Sequence, residues 1–204
     1  MSVVKHPSQR VAVIIDTQNL YHSAKNLHKA RVNFGAVVEK AVAGRQLIRA
    51  VSYVVNTESG EESAFFEALE KLGIEIKTKD LQIFYGGAKK ADWDVGMAVD
   101  AIKMAPKVDA IVFATGDGDF IPAVEYLKSF GCQVEAITFG RSASSGLRAA
   151  VDDFIDMDDD PATFLIRRRR VVRKTASTKT TKRTTKKTTR TRAIKTVGSD
   201  TDDL

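Results

Sequence analysis

Apolar runs recur along the chain at about 11–16, 48–55, 74–78, 110–115 and 133–138, each rich in Val, Ile or Phe and of the length of a buried strand. Between them the apolar positions take helical spacing. Leu20, Ala24 and Leu27 mark one face, Phe65, Phe66, Leu69 and Leu72 a second, Val95, Val99 and Ile102 a third, and Val124, Leu127 and Phe130 a fourth. Gly73 and Gly131 stand just after two of these patterns, where a left-handed C-terminal cap is wanted. Residues 34–43 predict a short helix ending at Gly44, and 145–151 a last one before Phe154 and Ile155. The stretch 79–88 breaks the rhythm, as either a short strand with a turn at Gly86 and Gly87 or a loop. Strand and helix otherwise alternate, which predicts an α/β fold with a parallel sheet covered on both faces.

Charge divides the chain in two. The net +6 of all 204 residues conceals a body, residues 1–166, with 18 Lys and Arg against 23 Asp and Glu, a net −5. Residues 167–196 carry 14 Lys and Arg and no acid, and Asp200, Asp202 and Asp203 follow them. Apolar residues become scarce after Ile166, so the folded part is expected to end there, with residues 167–204 a disordered Lys/Arg/Thr-rich tail. The one cysteine, Cys132, excludes an intrachain disulfide and a Cys-based zinc site, and reads as a small buried residue. Met1–Arg10 lacks a signal-peptide core, and no apolar run approaches the ~20 residues that span a bilayer, so a soluble, cytoplasmic protein with no membrane partner is expected.

The candidate chemistry lies where strands give way to helices. In an open parallel sheet, ligands bind outside the carboxyl ends of the strands. Asp16 ends the first strand, and Asp117 and Asp119, in Thr115-Gly-Asp-Gly-Asp-Phe120, follow the fourth; if these strands are neighbours, the three carboxylates converge. Asp94 begins a helical pattern and supplies a further side. Asp92 and Asp100 cannot share its helical face, since offsets of two and six residues rotate a helix by about 200° and 240°, and they are assigned supporting roles. Clustered carboxylates are best tolerated around a divalent cation, and all-oxygen ligation suits Mg2+ or Mn2+. Such a site activates water against a phosphodiester.

Simpler readings stand beside these. A lone Asp after a strand is ordinarily a helix cap or turn residue, and Gly-Asp-Gly-Asp is good turn chemistry. Asp117 is expected as the direct ligand, with Asp119 either a second ligand or the helix cap. Asn19, a turn into the helix after Asp16, either orients a water or phosphate or serves the helix start. Thr115 either hydrogen-bonds a site carboxylate or fills a strand position. Trp93 reads as core before it reads as a base-stacking platform, and His6, His22 and His28, without metal-ligand spacing, as surface residues.

Asp16-Thr-Gln-Asn19 after a strand, Asp94-Val-Gly-Met-Ala-Val-Asp100 on a helix and Thr115-Gly-Asp-Gly-Asp-Phe120 after another strand resemble, in that order, the NYN domain, the LabA-like branch of the PIN-like nucleases. Ser145-Gly-Leu147 and Asp152-Asp-Phe-Ile155 resemble its end, so the domain is expected over residues 8–160. The resemblance implies a Rossmann-like three-layer sandwich with a mainly parallel central sheet. It also implies an acidic pocket in which Asp16, Asp94, Asp117 and Asp119 hold Mg2+ or Mn2+ and Asn19 assists, in an enzyme that cleaves RNA.

The basic tail suits nucleic-acid binding by charge, with little sequence preference. RNA, possibly DNA, is thus expected to engage both the active-site cleft and residues 167–196. The leading expectation is a metal-dependent ribonuclease. Its rival is a non-catalytic RNA- or DNA-binding regulatory protein that retains the fold. A haloacid-dehalogenase-like phosphatase fits less well because Gln18 stands where its second acid is wanted. A Toprim domain wants Glu near the first strand, and a dinucleotide binder wants Gly-x-Gly-x-x-Gly where this chain has Asp-Thr-Gln-Asn.

Overall fold

The computed structural model describes residues 3–56, 63–80, 82–83, 89–90 and 92–166. The Gly86–Gly87 turn and the tail expected over 167–204 lie outside them. In chain order the elements are β1 (Arg10–Asp16), α1 (Thr17–Ser23), a π-helical turn (Ala24–His28), β2 (Arg31–Val32), α2 (Phe34–Val42), β3 (Gln46–Asn56), α3 (Ser63–Lys71), β4 (Glu75–Asp80), β5 (Gln82–Ile83) and β6 (Lys89–Lys90). There follow α4 (Asp94–Met104), β7 (Ala110–Ala114), a 3-10 turn (Gly118–Phe120), α5 (Ile121–Ser129), β8 (Gln133–Thr138), α6 (Ser145–Ala150), β9 (Asp153–Asp156), α7 (Pro161–Phe164) and β10 (Leu165–Ile166).

Six strands form one sheet in the order β4-β3-β1-β7-β8-β9, with every neighbouring pair parallel. Alternation along β1 divides the core between the two faces. Val11, Val13 and Ile15 join the side chains of α1 and α2, while Ala12 and Ile14 join those of α4, α5 and α6. The result is a three-layer α/β sandwich with both faces of the sheet covered. β2 and β10 pair antiparallel beside it, as do β5, within the stretch 79–88 where the sequence broke rhythm, and β6, just after that stretch.

The chain winds outward from β1 through β3 to β4, then crosses back to β7 and proceeds through β8 to β9. Direction therefore reverses between β1 and β7, and at such a switch point the carboxyl ends of two neighbouring strands leave a crevice. Gly73 and Gly131 adopt φ of +72° and +92°, the left-handed caps expected of them. α2 stops one residue earlier than predicted, with Ala43 itself left-handed at φ 51°.

Three sequence expectations need correction. Val95, Val99 and Ile102 do not form the buried face of α4; they are exposed, and Met97, Ala101 and Met104 are buried instead. The rotation of α4 is set by polar contacts that an apolar count ignores: Asp100 turns inward to accept from Tyr53 Oη (2.7 Å) and from Lys77 Nζ. Small residues at Gly96, where a Cβ would meet the Trp93 ring, and at Ala101 let the helix sit close. His28 is not a surface residue. The π-helical turn carries it inward, where it lies 2.8 Å from Asp158 with only 13% of its side chain exposed. Phe130 and Leu72, each expected on a packing face, are about half exposed, because each lies at or just past the end of its helix.

Candidate metal centre at the carboxyl edge

Asp16 ends β1, and its side chain caps α1 by accepting from the Asn19 N–H at 3.0 Å. On the neighbouring strand, Thr115 follows β7 directly and donates its hydroxyl to Asp16 Oδ2 at 3.2 Å. The same Thr115 oxygen accepts from the Asp117 N–H at 3.2 Å, so one buried hydroxyl ties both carboxylate-bearing segments together. Asn19 closes the arrangement from the other side, its Oδ1 accepting from the Gly116 N–H at 3.0 Å. Gly116 in turn accepts, through its carbonyl, from Ser144 N at 2.8 Å, which fixes the loop before α6 against the loop after β7. A Cβ at Gly116 would come within 3.0 Å of the Ala143 backbone, so close approach of the two loops requires glycine here.

Asp94 joins them as the first residue of α4. It does not cap that helix: Trp93 occupies the cap position, and no side chain makes a cap hydrogen bond. Trp93 is packed into the core, donating its indole N–H to the Val54 carbonyl at 3.0 Å and meeting Tyr53 edge-on, as the core reading expected. The capping assignments after β7 are the reverse of one sequence alternative. Asp117 caps the 3-10 turn, accepting from the Asp119 N–H at 3.0 Å, while the Asp119 side chain is exposed and engaged by no cap.

Asp94, Asp117 and Asp119 each offer a carboxylate oxygen, and these three lie within 4.8 Å of one another. Asp16 stands outside this trio, yet close enough that its charge acts on Asp94. Burial, opposed by hydrogen bonds from Asn19 and Thr115 and supplemented by the charge of Asp117, pushes the Asp16 carboxyl above its ordinary value. Burial likewise raises Asp94, reinforced in turn by Asp117, Asp16, Asp92 and Asp119. A divalent cation among the three carboxylates would oppose both effects, by neutralising the repulsion and, for Asp94, by offering ligation in place of lost hydration. The donor set is entirely oxygen, which suits a hard cation; the cluster could hold a divalent metal ion. Asp100, assigned a supporting role by sequence, is turned away to Tyr53 and Lys77. Burial works against its charge, yet these partners hold its carboxyl below the usual range.

Cations stand at the carboxyl ends of β4 and β8, strands on either side of β1 and β7, and sequence reasoning did not single them out. On the β4 side, Lys79 Nζ donates to the Asp92 carbonyl at 3.2 Å and lies over the Trp93 ring at 5.8 Å. Beyond β8, Arg141 is more than half exposed while it holds Asp158 at 3.0 Å. The signal available for the first was the alternation of Lys77 and Lys79 on one strand. The second depends on β8 and β9 ending side by side, which no local pattern reports. Among the described residues, no helix is long and apolar enough to cross a membrane.

A family model described as the NYN domain matches residues 10–158. The low amplitude and bright protein LabA of Synechococcus elongatus is 26% identical over 161 residues, which cover 74% of this chain and 84% of that protein. An uncharacterized protein of Methanocaldococcus jannaschii is 33% identical over 85 residues, covering 41% of this chain and 34% of its own length. Among solved structures, a protein of unknown function from Vibrio parahaemolyticus superimposes with a TM-score of 0.72 at 27% identity, covering 80% of this chain and 100% of that one.

Proposed function

Since the chain belongs to the NYN domain family, within the PIN-like nuclease superfamily, we propose that it is a metal-dependent ribonuclease that hydrolyses RNA phosphodiester bonds at the Asp94, Asp117 and Asp119 cluster. The observation that carries this reading is the convergence of those three carboxylates to within 4.8 Å at the switch point of the sheet. The donor chemistry fits Mg2+ or Mn2+, which Asp94, Asp117 and Asp119 would hold, with Asp16 near enough to act on Asp94 through its charge. When bound, such an ion stabilises charge on a phosphate oxygen and lowers the pKa of a bound water.

The chain's own residues supply position. Asn19 spends its Oδ1 on the Gly116 N–H, which leaves its amide N–H2 to donate to a phosphate oxygen of the substrate. Thr115 holds Asp16 and Asp117 in one arrangement through a single hydroxyl, so the crevice is organised before substrate arrives. Lys79 near the end of β4 and Arg141 after β8 lie at the carboxyl ends of strands on either side of β1 and β7, and would meet flanking phosphates of a strand laid across that edge. The 14 cations of residues 167–196 would raise affinity for RNA, or for DNA, by counterion release without reading sequence.

The test is cleavage of a labelled single-stranded RNA with Mn2+ or Mg2+ by wild type, Asp16→Asn, Asp117→Asn and a chain ending at residue 166. Wild type is expected to cleave, each Asp variant to lose about 100-fold or more, and the truncated chain to cleave with a raised KM. Equal inertness of wild type and both Asp variants, with RNA still bound, would replace this reading by that of a non-catalytic nucleic-acid-binding protein.

A further inference from the structure

Two residues outside the acid cluster fasten α4 to the sheet along one line. Trp93 stands at the cap position and Asp100 seven residues later, about 700° around the helix and so within about 20° of the same direction. Both are anchored on β3 and β4. Trp93 donates its indole N–H to the Val54 carbonyl at 3.0 Å, and its ring meets that of Tyr53 edge-on at 5.3 Å. Asp100 accepts from Tyr53 Oη at 2.7 Å and from Lys77 Nζ. The edge strand β4 supplies one lysine to each point, since Lys77 and Lys79 are two residues apart and share a face of the strand. Lys79 reaches the Asp92 carbonyl at 3.2 Å and lies over the Trp93 ring. Gly96 lets that ring fold back along α4, because a Cβ there would come within 2.8 Å of it.

Asp94 lies on the other flank, about 100° around the helix from Trp93, and the buried Met97, Ala101 and Met104 occupy the arc between them. Apolar burial is non-directional and resists a roll of the helix weakly, whereas hydrogen bonds fix direction. A roll of about 20° displaces a carboxylate about 5 Å from the helix axis by roughly 2 Å, the length of a Mg2+–oxygen bond. Asp117 and Asp119 follow β7, so Asp94 is the one member of the trio whose place depends on how α4 is seated.

We propose that Trp93 and Asp100 are positioning residues for Asp94: fastened to β3 and β4, they set the roll of α4 that brings the Asp94 carboxylate within 4.8 Å of those of Asp117 and Asp119. This role presupposes the metal centre proposed above, and adds to it side chains that need touch neither ion nor substrate.

Mn2+ titration calorimetry of the full chain, stripped with EDTA and dialysed, tests it well below the melting temperature. Tyr53→Phe removes the hydroxyl bonded to Asp100 and Trp93→Phe the indole N–H, and both keep the charge and an aromatic ring. The double variant is expected to bind Mn2+ about tenfold more weakly than wild type. Val37→Ala, in the core on the opposite face of the sheet, serves as the stability control: it should melt lower in EDTA yet bind Mn2+ as wild type does. A double variant with wild-type Mn2+ affinity, or a Val37→Ala that loses as much, would overturn the positioning role and leave the metal centre standing. A wild type that takes up no Mn2+ removes the metal centre and this role with it.

Discussion

Like charges held together in a partly buried crevice cost stability, and Asp94 bears that cost, with burial and four neighbouring carboxylates all raising its pKa. The sign follows directly. A carboxyl whose folded pKa is raised is penalised above its unfolded pKa, so at neutral pH the metal-free pocket works against the fold. Asp117→Asn removes one of the charges acting on both Asp94 and Asp16 yet keeps an oxygen to accept from the Asp119 N–H. In EDTA this variant should melt a few degrees above wild type, as ~1 kcal/mol shifts a chain of this size by about 2–4 °C. Saturating Mn2+ should then reverse the order, raising wild type by RT ln(1 + [L]/Kd), about 2.7 kcal/mol at a hundredfold excess over Kd, and leaving the variant unmoved. Differential scanning calorimetry with and without the ion reads both effects. At this scale the sequence was most legible for the acids, because Asp16, Asp94, Asp117 and Asp119 all stand at element ends that local patterns reveal. The division of tasks between Asp117 and Asp119 was not legible, since a two-residue difference in which oxygen meets which N–H depends on the loop's backbone path.

Strand positions were readable because β1, β3, β7 and β8 are built on apolar or β-branched runs and β4 alternates Ile76 and Thr78 with charged residues, and β1 and β7 are buried on both faces. β9 was not, with Asp153-Phe-Ile-Asp156 too short and too charged to stand out. The orientation of α4 was misread for a physical reason: Val95, Val99 and Ile102 have the right spacing, but Asp100 and Ala101 decide which side turns inward. A buried ion pair illustrates how polar residues govern the elements. Arg45, in the turn between α2 and β3, donates from both guanidinium nitrogens to Glu135 on β8, and both side chains are fully enclosed. Lys5 adds a second cation at 2.9 Å from Glu135. Arg45→Leu should destabilise by about 3–5 kcal/mol, because it leaves a buried carboxylate short of its main partner, whereas Arg45→Leu with Glu135→Leu should recover much of the loss. Urea denaturation of the two variants and wild type distinguishes these outcomes by midpoint.

For the whole molecule, the net −5 of residues 1–166 and the 14 cations of residues 167–196 oppose each other in any encounter with RNA. The acidic body repels a polyanion, and the basic segment attracts one. Log affinity for single-stranded RNA should fall with log salt at a slope of about −0.7 for each phosphate neutralised. A chain ending at residue 166 should bind at least tenfold more weakly at ~0.1 M salt and show a slope reduced by several units, which fluorescence anisotropy at a series of salt concentrations measures. An unchanged slope would assign binding to the folded body and its Lys79 and Arg141 flanks alone. The division of the chain into acidic and basic parts was visible in the sequence because it depends only on composition. The placement of the crevice was not, because it depends on β4 being followed by a strand that returns to the far side of β1.

The acidic crevice as a metal centre is the premise on which the proposed chemistry depends, and anomalous diffraction from crystals soaked in Mn2+ addresses it directly. An anomalous peak bounded by the carboxylates of Asp94, Asp117 and Asp119, absent from Asp117→Asn crystals soaked in the same way, is the predicted result. Crystals with no Mn2+ peak in the crevice at saturating ion, or with the same peak in Asp117→Asn, would contradict it.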